Sequence, residues 1–226
     1  MIDILIPVFA VALIIFILSG ALYLAKLARK RVENNLKELG QRLGLNFIEP
    51  EKNFWKTLAN LNHSELHGKI SGHPIKVHIT IRGSGKSTVH YIEFDLELST
   101  NHKNNIKIFH EGFFRKIGKK LGLQKDVDIH DEEFDRLYII KTDSPGFARA
   151  MFSDNILKEK MIDNYRLMNN AQIGFHQNSI HFEAINNFYH KKEVDKLEEL
   201  IRMSLLFAQK LMQIDNKHFD DGSFNL

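Results

Sequence analysis

Ile75-Lys76-Val77-His78-Ile79-Thr80-Ile81 alternates apolar and polar side chains, and beyond Arg82 and the loop Gly83-Ser84-Gly85-Lys86-Ser87-Thr88 the alternation resumes at Ile92-Glu93-Phe94-Asp95-Leu96-Glu97-Leu98. A period of two marks a strand with one buried face, and two such runs around a short glycine-rich loop read as an antiparallel hairpin. Ahead of the second run the apolar positions are Val89 and Tyr91, one residue out of phase with Ile92 onward, so a bulge is expected near Tyr91.

The signal repeats on both sides of this hairpin. Leu66 to Ile70 turns through Ser71-Gly72-His73-Pro74 into the first run, and Ile106 to Phe109 and Arg136 to Thr142 read as further strands. Gln172 to His176 and Ser179 to Ala184 flank Gln177-Asn178, a pair suited to a tight turn. Helical spacing separates these strands. It is expected near Glu51 to Asn60, over the basic stretch Phe113 to Leu121 with Arg115, Lys116, Lys119 and Lys120, from Pro145 through Phe147, Ala148, Met151 and Phe152, and from Asn155 to Asn169. A long amphipathic helix follows, marked by Val194, Leu197, Ile201, Leu205, Ala208 and Leu211. Hairpins interrupted by helices, without regular strand and helix alternation, define an α+β domain with a mainly antiparallel sheet and helices packed on one face.

At the other end, Ile4 to Ala25 runs 22 residues without a charge and is followed by Lys26, Arg29, Lys30 and Arg31. At ~1.5 Å per residue that run matches a hydrocarbon core of roughly 30 Å, so a single transmembrane helix is expected. A cleaved signal peptide would open on cations and carry a shorter apolar run, whereas this chain opens on Asp3. Only the terminal amine is positive ahead of the span, so the flanking cations place the N-terminus outside and the large domain in the cytoplasm, on an inner or plasma membrane. The expected organisation is a transmembrane helix over 1–27, an amphipathic juxtamembrane helix and connector over 28–60, an α+β domain over 61–214 and a disordered tail over 215–226. Val32, Leu36, Leu39 and Leu43 form the stripe of the juxtamembrane helix. That stripe packs on the domain or on a second copy, and so short a seam favours the domain.

Composition narrows the functional classes. There is no cysteine among the 226 residues, which removes disulfides, thiolate metal sites, cysteine nucleophiles and lipoprotein acylation. Beyond the span lie all 31 Lys and Arg against 27 of the 28 acids, an excess suited to an anionic leaflet and too small to indicate nucleic acid. The partners this implies are the bilayer, anionic lipid headgroups, and a second copy or another membrane protein.

No motif is tied to one chemistry, and no catalytic residue or cofactor is indicated. Gly83 to Thr88 resembles the end of a phosphate-binding loop, in which Lys86 and Ser87 would meet phosphate and magnesium. The first glycine of that motif would fall on Thr80, and a strand pattern follows where the motif needs a helix. Asp126, Asp128, Asp131, Glu132, Glu133 and Asp135 crowd acids ahead of a strand, but His130, Asp131 and Leu137 stand where a calcium loop needs an oxygen ligand, glycine and glutamate. The expected structure is a solvated acidic turn. Twelve histidines gather into no metal site by spacing; His176 and His181, on opposite arms of a hairpin, are the pair placed to approach.

Asp131-Glu132-Glu133-Phe134-Asp135-Arg136-Leu137-Tyr138-Ile139-Ile140, then Thr142-Asp143 and Ala148-Arg149-Ala150-Met151-Phe152, resembles the core of a bacterial membrane-protein family catalogued only as a domain of unknown function. Ile173-Gly174-Phe175 and Ile180-His181-Phe182-Glu183-Ala184 extend the likeness, with a weaker echo from Gly68 and Gly72 onward. The resemblance implies a membrane-anchored protein and names no activity. Read physically, Phe134 and Tyr138 plug a core. Arg149, early in a helix, reaches Asp143 or Asp135 as a structural ion pair, or else binds an anion. The function expected from these readings is a binding or scaffolding module beside the membrane, and the alternative is a tethered nucleotide- or phosphate-binding enzyme using Gly83 to Thr88.

Overall fold

The computed structural model describes residues 2–49, 64–83, 89–99, 103–110, 127–153, 155–185, 188 and 190–214. The helices expected near Glu51 and at Phe113 to Leu121, the loop residues Lys86 and Ser87, and the tail from Asp215 lie outside them.

The two alternating runs are strands β3 (His73–Arg82) and β4 (Val89–Glu97), paired antiparallel from Ile75 opposite Leu96 to Arg82 opposite Val89. The register is unbroken, so there is no bulge near Tyr91. The phase change has a different origin: Tyr91 lies on the second, polar face, where the Arg82 guanidinium stacks 4.6 Å from its ring centre. Strand β2 (Glu65–Ile70) joins β3 through Ser71 and Gly72, both at positive φ, a two-residue turn that twists with the strands. Strand β1 (Asn46–Ile48) adds the edge beyond β2.

Strands β5 (Ile106–His110), β6 (Tyr138–Thr142), β7 (Ala171–His176) and β8 (Ser179–Ile185) complete one eight-stranded sheet in the order β1-β2-β3-β4-β8-β7-β5-β6. Every pairing is antiparallel. The two halves meet where β4 pairs with β8, strands about 90 residues apart in the chain, and Phe94 stacks on Phe182 at 4.8 Å across that junction.

The helices share the apolar face. Helix α2 (Glu132–Leu137) takes the second part of the acidic stretch that the sequence presents as a turn, and β6 consequently begins at Tyr138 rather than Arg136. Asp131 caps α2 by accepting from the Phe134 amide at 3.1 Å, and Asp135 accepts from the Ile129 and Asp131 amides, so the acids organise backbone. Phe134 is fully buried against Tyr138 and Phe152, each 4.8 Å between ring centres, and the Tyr138 hydroxyl donates to the Met161 carbonyl at 2.8 Å. Helix α3 (Pro145–Met151) starts at the expected proline with Ser144 as its cap; Phe147, Ala148, Met151 and Phe152 are all buried. Helix α4 (Asn155–Asp163) ends before Asn169 in a series of turns, and helix α5 (Lys192–Gln213) lays Val194, Leu197, Ile201, Ala208 and Leu211 into the core.

Helix α1 (Ile2–Leu43) is continuous over 42 residues. Its most apolar window has a mean hydropathy of 1.8 and none of it is buried, so it is apolar and long enough to cross a membrane. Its last turns belong to the domain. Leu36 and Leu39 are 0% exposed, so the stripe packs on its own domain and leaves no seam for a second copy along those residues. Gly40 lets the helix close on the sheet, since a Cβ there would stand 2.9 Å from Leu66 Cδ2; Gly44, at positive φ, ends it.

Contacts from three α1 residues set the direction of α5 relative to α1. Asn35 Nδ2 donates to the Phe188 carbonyl at 2.7 Å, Lys191 Nζ pairs with Glu38 at 3.2 Å, and Arg42 bonds Asp195 at 2.7 Å and Glu198 at 3.2 Å. Partners advance together along both helices, so α5 runs parallel to α1 with its N-terminus toward the apolar segment.

Candidate functional site at the span-proximal end of the domain

The start of α5, the turns after α4 and the ends of β4 and β8 enclose a cleft of about 370 Å³. Ile92, Ala184, Leu197 and Leu200 form its floor, while Arg166, Lys192 and Lys196 bring three cations to its walls. Among the described residues Glu193 is the one carboxylate in the lining, and Lys196 holds it at 3.1 Å. Arg166 and Lys192 are exposed and have no acidic partner among the described residues; the Arg166 guanidinium donates to the Tyr165 hydroxyl at 3.1 Å and is raised in pKa by it. The side chains of Glu193, Lys196, Leu197 and Leu200 recur at helical spacing on one flank of α5, and Lys191, Asp195 and Glu198 reach α1 from another. The first amides of α5 are already taken, Glu193 N–H by His190 O and Val194 N–H by Lys191 O. Those two amides are therefore not free for an anion in the cleft.

A second polar cluster lies on the face of the sheet opposite the apolar one. Glu93 and Glu183 stand directly opposite each other on β4 and β8, each 5% exposed, and two like charges in that position repel. Arg82 resolves this by bonding both carboxylates at 2.7 Å, with His78 Nε2 3.3 Å from Glu93 and the Thr80 hydroxyl donating to it. Next along the strands, His181 Nδ1 meets Asp95 at 2.8 Å. The hydrogen bond with Asp95 raises the His181 pKa, and the same bond lowers that of Asp95. Among the described residues no group of three histidine or acidic side chains has metal-ligand geometry.

The residues singled out from sequence distribute as follows. Arg149 is exposed and forms no ion pair with Asp143 or Asp135 among the described residues; Asp143 accepts from Asn105 twice at 2.9 Å, and Asp135 serves the α2 turn. Its charge acts on Asp128, whose pKa is lowered first by the hydrogen bond with Asp135, then by the His130 amide, and to a lesser degree by His130 and Arg149. His176 and His181 do not meet; His176 bonds Asn105 and His181 bonds Asp95. Val89 to Glu97 is a strand directly after the Gly83 to Thr88 loop, without the helix a phosphate-binding loop requires. Lys26, Arg29, Lys30 and Arg31 lie on α1 between the apolar run and the domain.

Sequence reasoning missed both clusters. Arg166, Lys192 and Lys196 look like ordinary solvated cations until the tertiary fold puts a concave surface between them. Glu93 and Glu183 read as outward-facing strand residues until β8 pairs with β4.

Neither protein-family models nor curated proteins match the chain. Among solved structures it is similar to the crystal structure of the mycobacterial trehalose monomycolate transport factor A, TtfA, at 12% identity and a TM-score of 0.46, over 80% of this chain and 94% of that one. A likeness of that degree is silent on ligand and activity.

Proposed function

We propose that the chain is a single-pass membrane protein, with its N-terminus outside and its α+β domain held at the cytoplasmic face as a binding module. The observation that carries this reading is the continuity of α1: one unbroken helix leads from an unburied apolar segment into a core where Leu36 and Leu39 are fully enclosed. A domain joined this way is held beside the bilayer in a set orientation, with the start of α5 toward the lipid. Lys26, Arg29, Lys30 and Arg31 support the cytoplasmic assignment through the bias of basic residues to that side.

The test is protease accessibility of a tag after Leu226. In intact cells the tag is expected to survive, and in inverted membrane vesicles it is expected to be digested. Digestion in intact cells would reverse the orientation, and recovery of the full-length protein in the soluble fraction would remove the membrane reading altogether.

A further inference from the structure

We infer that the cleft between α5, the turns after α4 and the β4 and β8 ends binds a phosphate-ester anion, with Arg166 and Lys192 as its principal ligands. The cleft volume of about 370 Å³ falls in the ~300–1,000 Å³ range of small-molecule sites. That corresponds to about a dozen waters at ~30 Å³ each, room for a glycerol- or sugar-sized phosphate. The charges are unbalanced: of the three cations in its walls only Lys196 has a carboxylate, and Arg166 and Lys192 line the same cleft without one among the described residues. A guanidinium supplies a planar fork of donors that matches phosphate oxygens, and a lysine adds a compact point charge. Asn169 brings an amide to the same wall. Tyr165 already accepts from the Arg166 Nε, which orients the guanidinium and leaves its terminal nitrogens for a ligand.

Position suggests where such an anion could come from. Lys26 to Asn35 is about 14 Å of helix, and a headgroup layer takes up roughly 5–8 Å of that. The level of Phe188, which Asn35 holds, is then within about one Debye length of the headgroups, ~8 Å at physiological salt. A phosphate ester could reach the cleft as a lipid headgroup or as a soluble metabolite. The lipid source rests on the membrane placement proposed above; the cleft chemistry does not.

The full chain in phosphatidylcholine nanodiscs, titrated calorimetrically with glycerol 3-phosphate, tests the soluble source. Nanodiscs doped with phosphatidic acid, followed by detergent extraction and native mass spectrometry of retained lipid, test the other. Nanodiscs expose both faces, so a reversed orientation in cells would leave these readouts unchanged. The variant pair Arg166→Gln with Lys192→Gln is expected to weaken binding of at least one probe tenfold or more, while Lys69→Gln, an exposed lysine on β2, changes neither. Loss with glycerol 3-phosphate assigns a soluble ligand, and loss confined to phosphatidic acid assigns a lipid. Failure of the wild type to bind either probe, an unaltered double variant, or an equal loss in Lys69→Gln would overturn the proposal. Melting temperatures of all three proteins accompany the titrations, and since both substituted residues are exposed, they are expected to agree with wild type within a degree or two.

Discussion

His181 and Asp95 face each other across β8 and β4, and their shifts in opposite directions have one cause, the hydrogen bond between them. The nearby Glu93 and Glu183 charges also favour the imidazolium. A histidine whose folded pKa is raised contributes stability that is fully present below its unfolded value of about 6.5 and is lost as pH rises through the folded value. Asp95 works in the other direction: its contribution is present above about 3.9 and disappears only as pH falls through its lowered value. Urea unfolding of the wild type from pH 6 to 9 should therefore show a decline that His181→Gln flattens. Its size should be about 0.5 kcal/mol, because both side chains are more than a third exposed and solvent screens the pair. Identical slopes in the two proteins would show that the pair is not coupled to folding. Neither residue's partner is visible in the sequence, since Asp95 and His181 lie 86 positions apart and meet only through the β4 and β8 register.

At the scale of elements, α1 does two jobs with one helix. Its first half is apolar all round, as a helix facing lipid must be, and its last turns carry a narrow stripe that the sheet and α5 enclose. Leu36→Ala removes a fully buried side chain at the junction of α1 with the domain. It should destabilise the domain by about 2–5 kcal/mol, the range for truncating a leucine in a packed core. Chemical denaturation of the purified chain measures it, and a loss below about 0.5 kcal/mol would mean that α1 is a loose tether. The element pattern itself was largely legible. Alternation at Ile75 to Ile81 and Ile92 to Leu98, the Pro145 start of α3, the Gln177-Asn178 turn and the α5 stripe are local signals, and each corresponds to an observed element. Two of the expectations that failed did so for identifiable reasons. The odd phase at Tyr91 reflects a side chain stacked under Arg82 on the polar face rather than an inserted residue, and the acidic stretch is helical from Glu132 because Asp131 caps it and Phe134 anchors it.

At the scale of the whole molecule, orientation is the property that matters. Parallel packing of α5 on α1 points the cleft end toward the apolar segment, so the distance between the two is set by helix length between Lys30 and Asn35. Inserting seven residues of helix-forming sequence after Lys30 adds about 10 Å and nearly two full turns, leaving the packed stripe in phase to within ~20°. Its melting temperature should match wild type. If the cleft ligand is a lipid, retention of phosphatidic acid should fall several-fold while glycerol 3-phosphate affinity is unchanged; equal lipid retention would show that seating does not depend on the height of the domain.

The sequence by itself determined what local periodicity and length can encode: an apolar helix with cations behind it, strands that come as hairpins, helices with one apolar face, and hence an α+β domain on an N-terminal helix. Tertiary structure alone decided what depends on residues distant in the chain. It joined the two halves of the sheet at β4 and β8, placed Glu93 against Glu183 under Arg82, spent the α1 stripe on its own core, and brought Arg166 and Lys192 to the lining of one cleft. The physical reason is that period and capping are written in neighbours a few residues apart, whereas register between strands about 90 residues apart and convergence of charges across a cleft are written only in the packing that brings them together.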